Sequence, residues 1–547
     1  MVGLLDMSSH DTTRGGLSVI PLEARRAAIQ IKKQDRINLP RMRYWNYGAC
    51  EHHDVPTPSC EYRLCGGEFF DHQTVTIGWL YALQKGIVAS VPGSGKTNIA
   101  LGLAALLKER GKLSGRAIFI VQTPVTLQWL AEAERFTPDL KVVATYSGMT
   151  KEARMSVYSG DWDILIIGFH MLMQDVDVLE ENFSPSLVVT DDVDPLLNEE
   201  NTTHNAINRI ALPAPRVIIM NASSLQIRLQ QIHASMVPIG GKDIWGSLDN
   251  FENRYIRREK VSKPTKKKGV YAVEMKEVGY KNWDEFRSKL DPWVIRYDYE
   301  DLKDVRMPAI MPPEYVWLDL HAQQRAKYEE VRQGVLRIVR EQGEEIRHTS
   351  ALTMIMYGQM VCAGLPAFGE PDGPQASVKL DWLMDKLTGV WSDRKIVVYI
   401  RNPNLIRAFQ ARLNGRGIGY GTVWGVESDP VARREEQKRF WDDPNCRVFI
   451  GTSAMERGLN LHAANVVVCV DMLLNPSRLE QIVGRTRRAG SPHDRIYPFY
   501  LLATGTQEEK YLDVLERRAA LISQVWDSNV ELFEKLSPLE LLSMFKP

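Results

Sequence analysis

The sequence predicts an α/β fold in which two parallel sheets are separated by a helical insertion. Short β-branched runs alternate with amphipathic stretches from about residue 69 to 240, and the same alternation returns from about residue 376. The runs are apolar throughout, which is typical of parallel strands covered by helices on both faces. The clearest runs are AIFIVQ at 117–122, DILIIG at 163–168, LVVT at 187–190, RVIIM at 216–220, KIVVYI at 395–400, RVFIG at 447–451 and NVVVCV at 465–470.

The length of 547 residues favours several domains, because it exceeds what one hydrophobic core accommodates. The segment between the two alternating regions is richer in charged and helical patterns, and it contains the basic run REKVSKPTKKKG at 258–269. The predicted domains are an N-terminal arm at 1–45, a zinc-binding module at 46–68, a first lobe at 69–245, a helical protrusion and linker at 246–375, a second lobe at 376–525 and a C-terminal helix at 526–547.

Charge and apolar content exclude some classes of protein. Lys+Arg and Asp+Glu both total 68, which argues against a globally basic coat, although a local basic groove is sufficient for nucleic acid. No uncharged apolar run is long enough to span a bilayer, so no membrane partner is expected. The scattered Cys362, Cys446 and Cys469 are typical of buried thiols in a reducing compartment.

A phosphate-binding loop is predicted at SVPGSGKT, residues 90–97. It follows the apolar run GIVA and precedes the helix-like stretch NIALGLAALL. Gly93 and Gly95 allow tight turns that point successive backbone N–H groups at phosphate oxygens. Lys96 would neutralise the β- and γ-phosphates, Thr97 would ligate Mg²⁺, and the helix N-terminus adds partial positive charge. The alternative is a chance glycine-rich turn, and the strand–loop–helix context with an intact GKT argues against it.

An acidic turn at a strand end supplies the second part of the predicted site. In LVVTDDVD at 187–194, Asp191 would hold the magnesium through bound water. Asp192 stands where a water-activating carboxylate is needed. An acidic turn of this kind is, in isolation, more often a solvated loop or a helix cap. The interpretation as a metal site therefore depends on Lys96.

A pair of arginines lies far along the chain, in QIVGRTRRAG at 481–490. Arg485 and Arg488 are spaced by three, so they share one face if the segment is helical. Guanidinium groups suit the charge that develops on a γ-phosphoryl group. A basic surface helix is the alternative for an isolated pair. Together with the loop at Lys96, the pair predicts a nucleotide held between two domains.

A zinc site is predicted before the first lobe. ACEHHDVPTPSCEYRLCGG gathers half of the six cysteines with two histidines in a turn-rich stretch. Three cysteines and one histidine complete a closed tetrahedral site, so the zinc would be structural. Three accidental reduced thiols are the alternative. The predicted ligands are Cys50, His53, Cys60 and Cys65, with His52 as the alternate for His53.

Segments spread over residues 69–525 resemble helicase-like motors of superfamily two, and specifically the Swi/Snf branch of DNA translocases. The first-lobe segments are FFDHQTVTIGWL at 69–80, SVPGSGKT at 90–97, QTPVTLQW at 122–129 and DDVDPLLN at 191–198. The segments that favour the Swi/Snf branch are FENRYI at 251–256, LDPWVIR at 290–296, YVWLDLHAQQRAKYEEV at 315–331, SVKLDWL at 377–383, WGVESD through VVVCVD at 424–471 and TGTQEEKYLD at 504–513.

The resemblance implies two RecA-like lobes and assigns roles to particular residues. Gln73 would be the glutamine that reads adenine, and Gln481 would assist hydrolysis. The residues expected to contact the nucleotide are Gln73, Pro92, Gly93, Ser94, Gly95, Lys96, Thr97, Asn98 and Gly458. The residues expected to act in catalysis are Lys96, Asp191, Asp192, Gln481, Arg485 and Arg488.

Three segments depart from the family pattern. Asp192 replaces the usual glutamate, so its carboxylate lies one methylene further back, which predicts slower hydrolysis. NASSLQ at 221–226 replaces the usual Thr-Gly-Thr-Pro form, and TSAMERGLN at 452–460 is closer to the general superfamily form. Chromatin-reading segments are not recognised. The resemblance therefore implies a compact phage, viral or bacterial member in the cytoplasm or at the nucleoid, in host cytoplasm if phage-encoded.

Contacts with the nucleic-acid backbone are expected in both lobes and in the insertion. The resemblance places the loops at Thr123–Pro124 and Thr452–Ser453 on the tracked strand. The basic run adds a cluster of lysines, for which a solvated loop or a nuclear-localisation-like tract is the alternative. The lysines are Lys263, Lys266, Lys267 and Lys268.

We therefore expect a monomeric motor, dependent on ATP and Mg²⁺, that translocates on double-stranded or forked DNA. Fork remodelling or strand annealing, beside replication, recombination or repair proteins, would extend this activity. One alternative is a strand-separating superfamily-two helicase on DNA or RNA. Another is a nucleotide-gated DNA-binding scaffold that hydrolyses little, which the DDVD and NASS segments keep open.

Overall fold

The structure of the protein is a computed structural model, and its described residues divide between two units. Unit 1 is Met1–Val305 and unit 2 is Arg306–Pro547, so the boundary falls inside the segment predicted as an insertion. The structure describes residues 69–191, 196, 198–221, 229–264, 271–302, 305–342, 348–425, 430–456, 458–472, 476–488, 491–510 and 545. The predicted arm at 1–45 and the predicted zinc-binding module lie outside the described residues.

Unit 1 contains a seven-stranded parallel sheet with the strand order β3-β4-β2-β5-β6-β1-β9. The strands are β1 (Lys85–Ser90), β2 (Ala117–Val121), β3 (Val142–Thr145), β4 (Ile164–Gly168), β5 (Leu187–Asp191), β6 (Val217–Asn221) and β9 (Val294–Tyr297). The helices along them are α1 (Asp71–Leu83), α2 (Lys96–Glu109), α3 (Thr126–Phe136), α4 (Lys151–Ser159), α5 (Phe169–Asn182), α6 (Thr202–Ala211), α7 (Leu229–Met236), α8 (Gly241–Trp245), α9 (Leu248–Tyr255) and α10 (Trp283–Leu290).

The central strands of unit 1 are buried at every position, which explains their uninterrupted apolar sequences. β1, β2 and β4 have no exposed or half-exposed residue. A parallel strand covered on both faces has no solvent side on which polar residues would alternate. The first α/β lobe predicted from the sequence is therefore confirmed. β1 and β5 are both neighbours of β6, so the carboxyl ends of β1 and β5 lie two strands apart at one edge of the sheet.

Residues 256–264 and 271–280 form the two antiparallel strands of a hairpin, where the sequence predicts a helical protrusion. Its strands are β7 (Ile256–Pro264) and β8 (Tyr271–Tyr280). Residues of opposite charge are directly opposite in the register of the ladder, with Arg258 opposite Glu277 and Glu259 opposite Lys276. Opposite charges directly across a ladder stabilise a hairpin. This part of the predicted helical insertion is therefore wrong, and β9 is likewise a strand of the first sheet.

Unit 2 contains the second parallel sheet, with the order β10-β16-β15-β12-β14-β13 and with β11 also paired to β16. The strands are β10 (Ala309–Ile310), β11 (Glu314–Leu318), β12 (Ile396–Tyr399), β13 (Gly419–Val423), β14 (Cys446–Gly451), β15 (Val466–Cys469) and β16 (Arg495–Ala503). The helices are α11 (Ala322–Gln342), α12 (His348–Ala363), α13 (Val378–Thr388), α14 (Pro403–Asn414), α15 (Pro430–Asp442) and α16 (Pro476–Val483).

Two apolar clusters of unit 2 use alternate residues of the same strands. Val397 and Val467 belong to one cluster, whereas Val398 and Val468 belong to the other. This alternation follows from the period of two in a strand. The second predicted lobe is confirmed, and the three scattered cysteines are buried free thiols as expected. Among the described helices, none is long and apolar enough to cross a membrane.

A buried ion pair joins two distant segments of unit 2. The Lys379 ammonium on α13 donates to both carboxylate oxygens of Glu508, at 2.8 and 2.9 Å, and to the Val470 carbonyl at 2.9 Å. The Ala503 N–H donates to the same carboxylate at 2.7 Å. Both side chains are almost completely excluded from solvent. The pair therefore ties the start of α13 to the end of β16, 129 positions apart in the chain.

Glu508→Gln is expected to lower the free energy of unfolding by about 3–5 kcal/mol, because it leaves the buried Lys379 charge without its partner. Urea denaturation of the full chain, with hydrogen exchange of α13 to identify the transition of unit 2, measures the loss. Adding Lys379→Met to Glu508→Gln should restore part of it. Asp494→Asn breaks the exposed pair with Arg306 and should change nothing measurable. Equal losses from Glu508→Gln and Asp494→Asn would contradict the assignment.

Candidate nucleotide site

The loop between β1 and α2 has the backbone shape that phosphate binding requires. Gly93 and Gly95 have φ angles of 85° and 78°, in the left-handed region that favours glycine. A Cβ on Gly95 would also collide with Nε2 of Gln73. α2 begins at Lys96, so the amide groups of its first turn have no intrahelical acceptor. Those amides and the helix dipole make this end of α2 favourable for an anion.

Side chains from two elements hold the carbonyl oxygens of this loop. The Lys96 ammonium donates to the carbonyl of Ser90 at 2.6 Å and to that of Val91 at 3.2 Å. The His72 ring nitrogen Nε2 lies 2.8 Å from the Ser94 carbonyl, so it donates its proton there. These bonds fix the loop from α1 on one side and from its own lysine on the other. His72 was not predicted, because only the folded chain brings it to the loop.

Gln73 is completely buried and both ends of its amide are engaged in unit 1. Its Oε1 accepts from the Phe70 N–H at 3.0 Å. Its Nε2 donates to the carbonyls of Ser94 and Gly95, at 3.2 and 3.3 Å. The geometry thus gives Gln73 the role of holding the phosphate loop. The adenine contact that the resemblance implies stays a prediction.

The loop also provides polar atoms that fit a phosphate group. The hydroxyls of Ser90 and Ser94 are buried and have no hydrogen-bond partner in the described part of the chain. A buried hydroxyl without a partner is costly unless a ligand or water satisfies it. Lys96, the start of α2 and these hydroxyls are donors of the kind that a triphosphate accepts. The phosphate contacts themselves stay predictions.

Asp191 ends β5 at the carboxyl edge of the sheet, the position predicted for a metal carboxylate. The indole N–H of Trp129 donates to its Oδ2 at 3.2 Å. Trp129 belongs to the quoted segment QTPVTLQW, yet its contact with Asp191 spans 62 positions and has no signal in the sequence. Asp192 lies outside the described residues, so its role as water-activating carboxylate stays a prediction.

A buried histidine connects the segment after Asp191 to α7. The His233 ring is fully buried, with Nδ1 2.7 Å from Glu199 Oε1 and Nε2 3.0 Å from the Gly246 carbonyl. Glu199 follows the predicted acidic turn at 191–194. α7 follows NASSLQ at 221–226, one of the segments that depart from the family pattern. The chain regions after both segments are therefore joined by one hydrogen bond. The sequence does not predict this pair, because neither residue belongs to a recognisable motif.

The predicted arginine pair in unit 2 follows a helix and does not belong to it. α16 ends at Val483, and the next residues form turns in which the Arg485 N–H donates to the Ile482 carbonyl at 3.1 Å. The expectation that Arg485 and Arg488 share one helical face is therefore wrong. The Arg485 carbonyl accepts from the Leu461 N–H at 2.8 Å, so this turn is fixed to the segment that contains Gly458.

Arg488 lies close to a half-buried histidine in unit 2. Burial lowers the pKa of His462, and the positive charge of Arg488 lowers that pKa further. A neutral His462 therefore places no second positive charge beside the guanidinium. Gln481, the other predicted catalytic residue of this unit, belongs to the last turn of α16.

The predicted DNA-contact loops lie at carboxyl ends of strands in both units. Thr123–Val125 is a single turn of 3₁₀ helix after β2, and Ser453–Glu456 is another after β14. The Thr452 hydroxyl accepts from the Ala454 N–H at 3.2 Å, which starts the second turn. Of the basic run, Lys263 lies on β7. Lys266, Lys267 and Lys268 lie outside the described residues.

The predicted zinc ligands Cys50, His53, Cys60 and Cys65, with His52, also lie outside the described residues. In the part of the chain that the structure does describe, no three His, Cys, Asp or Glu side chains are grouped so as to hold a metal ion. Structural zinc is therefore without support from the structure and stays a prediction from the cysteine spacing.

The chain matches two family models. The SNF2-related domain model covers residues 72–365, which is more than half of the chain, and the helicase conserved C-terminal domain model covers residues 379–490. The fold and site define a phosphate-loop α/β protein with two parallel sheets. The chain belongs to the SNF2-related family. Both matched domains support an ATP-hydrolysing enzyme.

Curated relatives with long matches come from animals and bacteria. A human SWI/SNF-related matrix-associated actin-dependent regulator of chromatin, subfamily A member 1, is 22% identical over 88% of this chain and 46% of its own length. A Mycoplasma pneumoniae protein named as an uncharacterized ATP-dependent helicase is 24% identical over 87% of this chain and 44% of its own length. The chain spans about half the length of these relatives.

Among solved structures, the Sulfolobus solfataricus SWI2/SNF2 ATPase core in complex with dsDNA is similar to this chain. The two are 17% identical, the TM-score is 0.39, and the match covers 88% of this chain and 96% of that chain.

The stability of unit 1 should fall on mild acidification, because burial lowers the pKa of His204. Its Nε2 lies 3.0 Å from the Ala234 carbonyl and its Nδ1 lies 2.9 Å from the Asn208 amide nitrogen, which suits the neutral ring. An unfolded histidine has a pKa of about 6.5 and binds the proton more tightly than His204 in the fold. Stability is therefore complete above that pH and is lost as the pH falls below it.

Urea denaturation of the full chain between pH 7 and pH 5 measures this effect. His204→Gln should flatten the pH dependence, although it lowers stability at every pH. His170→Gln replaces an exposed histidine of the same unit and should leave the pH dependence unchanged. An unaltered slope in His204→Gln would show that another group is responsible.

Proposed function

We propose that the protein hydrolyses ATP and uses the free energy to translocate on double-stranded DNA. The observation that carries the proposal is the phosphate loop, fixed in the left-handed turns of Gly93 and Gly95 after β1, at the same edge of the sheet as Asp191 at the end of β5, two strands away. Membership of the SNF2-related family supports ATP hydrolysis. The names of the relatives, a regulator of chromatin and an ATP-dependent helicase, support DNA as the track.

Residues of unit 1 would hold the nucleotide. Lys96 would exchange its carbonyl partners for phosphate oxygens, and the first amides of α2 would donate to the same group. Thr97 and Asp191 would ligate Mg²⁺, the carboxylate acting through water. Bound ATP with Mg²⁺ supplies the phosphoryl group whose hydrolysis drives movement. Asp192 would orient the attacking water. The remaining predicted contacts on this unit are Gln73, Pro92, Ser94 and Asn98.

Residues of unit 2 would stabilise the charge that develops during hydrolysis. Arg485 and Arg488 present guanidinium groups, whose planar donors suit three phosphoryl oxygens. Gln481 on α16 would assist the water, and Gly458 would contact the nucleotide. The fixed turn around Arg485 favours this role, because a rigid donor costs no reorganisation at the moment of reaction.

DNA would be held through its phosphates. The turns at Thr123–Pro124 and Thr452–Ser453 follow strands of the two sheets, so rigid elements carry both of them. The lysines of the β7–β8 hairpin would add non-specific charge contacts, which carry no base information. Movement by alternating grip, without obligatory strand separation, is the mode that fits such contacts. We further propose that the protein acts as a monomer, and that it uses this movement for fork remodelling or strand annealing.

ATP turnover with and without duplex DNA tests the proposal. We expect duplex DNA to stimulate turnover and Lys96→Ala to abolish it, because the loop then lacks its only phosphate-neutralising side chain. Lys151→Ala removes an exposed lysine at the start of α4 and should behave as wild type. Turnover that DNA does not stimulate would favour a nucleotide-gated scaffold. Stimulated turnover with strand displacement, and without triplex displacement, would favour a separating helicase.

Changing Lys263, Lys266, Lys267 and Lys268 together to Ala should weaken DNA binding equally for unrelated duplex sequences. Each lost phosphate contact should reduce the slope of log affinity against log salt by about 0.9. Fluorescence anisotropy at several salt concentrations measures both quantities. Wild-type affinity and slope in this variant would show that the lysines form a solvated loop. Lys141→Ala with Lys151→Ala, two exposed lysines on the sheet domain of unit 1, provides the control.

A further inference from the structure

Trp129 is held rigidly against the carboxylate of Asp191. Its side chain is 97% buried, and its ring meets the Phe119 ring edge-on, with centroids 5.7 Å apart and planes at 85°. The indole N–H donates to Asp191 Oδ2 at 3.2 Å. An N–H on one oxygen fixes the rotation of a carboxylate, and it therefore fixes the direction in which the carboxylate presents its lone pairs to a cation.

Trp129 lies within the first turn of α3, directly after the 3₁₀ turn Thr123–Val125. The Val125 N–H donates to the Gln122 carbonyl at 2.9 Å, and the Thr126 hydroxyl donates to the Thr123 carbonyl at 3.1 Å. Thr126 is fully buried. The Thr126 bond therefore joins the 3₁₀ turn to the first turn of α3, which carries the indole.

The same turn is pressed against the end of β4. A Cβ placed on Gly168 would lie 2.7 Å from the Thr123 hydroxyl and 3.0 Å from its Cα. Gly168 has a φ of −77° and a ψ of 148°, which any residue adopts, so the close approach and not the backbone requires glycine. The turn consequently has little room to move toward β4.

We infer that Trp129 is a positioning residue that transmits contact at the Thr123–Pro124 turn to the metal-binding carboxylate of Asp191. The inference rests on the proposed function, because it takes DNA at the turn and Mg²⁺ at Asp191 as given. A phosphate that pulls the turn would shift α3 and with it the hydrogen bond that orients Asp191. Stimulation of hydrolysis by DNA would then pass through one indole N–H.

Trp129→Phe tests the inference, because it keeps the ring against Phe119 and removes only the donor. The readouts are the Mg²⁺ concentration for half-maximal ATP turnover, the ratio of turnover with and without duplex DNA, and DNA affinity by anisotropy. We expect the Mg²⁺ requirement to rise about 10- to 100-fold, the usual cost in metal affinity of losing a group that orients a metal ligand. The DNA-stimulation ratio should fall severalfold, with DNA affinity unchanged.

Trp162→Phe is the matched control. Trp162 is also buried in unit 1, its indole N–H donates at the same distance of 3.2 Å to the Tyr158 carbonyl, and its ring packs on Phe183. Its loss should lower stability by a similar amount and leave the Mg²⁺ requirement and the stimulation ratio unchanged. An equal change in both variants would overturn the inference, since it would show a general effect of destabilisation.

Gly168→Ala provides a second route if Trp129→Phe fails to fold. The three atoms nearest to the added methyl group all belong to Thr123, and the inference predicts a raised Mg²⁺ requirement and a lower stimulation ratio. A wild-type Mg²⁺ requirement in Trp129→Phe, or in Gly168→Ala where the former cannot be made, would overturn the inference and leave the proposed function intact. Wild-type protein that DNA does not stimulate would instead overturn both the proposed function and this inference.

Discussion

The loop between β1 and α2 depends on side-chain donors to its carbonyl oxygens, which the packing of unit 1 brings to Ser90 and Ser94. A buried carbonyl without a donor costs as much as a lost hydrogen bond. Lys96, His72 and Gln73 supply the donors, and two of the three come from α1. The position of α1, and the burial of its polar first turn, follow from this requirement.

The same side-chain bonds explain how the loop can be held in place while its backbone N–H groups stay available to a ligand. Backbone N–H groups of a phosphate site have to point toward the ligand, so the carbonyls of the same peptides point into the protein. Fixing the carbonyls from behind therefore orients the N–H groups in front. Gln73 adds steric selection, because its amide occupies the space of a Cβ on Gly95. A nucleotide contact by Gln73 would have to be shared with this loop-holding role.

Much of the fold was predictable from the sequence. The short runs that are apolar at every position can only be buried, and they recur between helical stretches as parallel strands do. The glycine turns of the loop at 90–97 were predictable for a different reason, because the residues that form them are adjacent in the sequence. The hairpin was not predictable. Arg258 and Glu259 are opposite Glu277 and Lys276 in its register, and the order of charges along the chain does not show which residues will be opposite each other. The expectation that Arg485 and Arg488 share a helical face was wrong because α16 ends before both residues.

Contacts between distant segments were the part of the site that no spacing could reveal. Trp129 with Asp191, and His233 with Glu199, join residues 62 and 34 positions apart, and each pair depends on the sheet order that places its elements together. Sequence motifs identify the groups that meet a ligand. The groups that orient these ligand-binding groups depend on which elements pack together. Because many kinds of side chain can provide a donor there, the sequence carries no motif for them.

The hairpin shows how charge is distributed when a local basic element belongs to a neutral chain. Near its base, Arg258 lies 2.7 Å from Glu252 and 3.3 Å from Glu277, so its charge is neutralised within unit 1. From Lys263 to Lys268 the sequence contains four lysines and no acidic residue. This part of the sequence therefore has a local excess of positive charge. Because clustered cations attract phosphates, this excess is the feature that supports the proposed DNA contact of the four lysines.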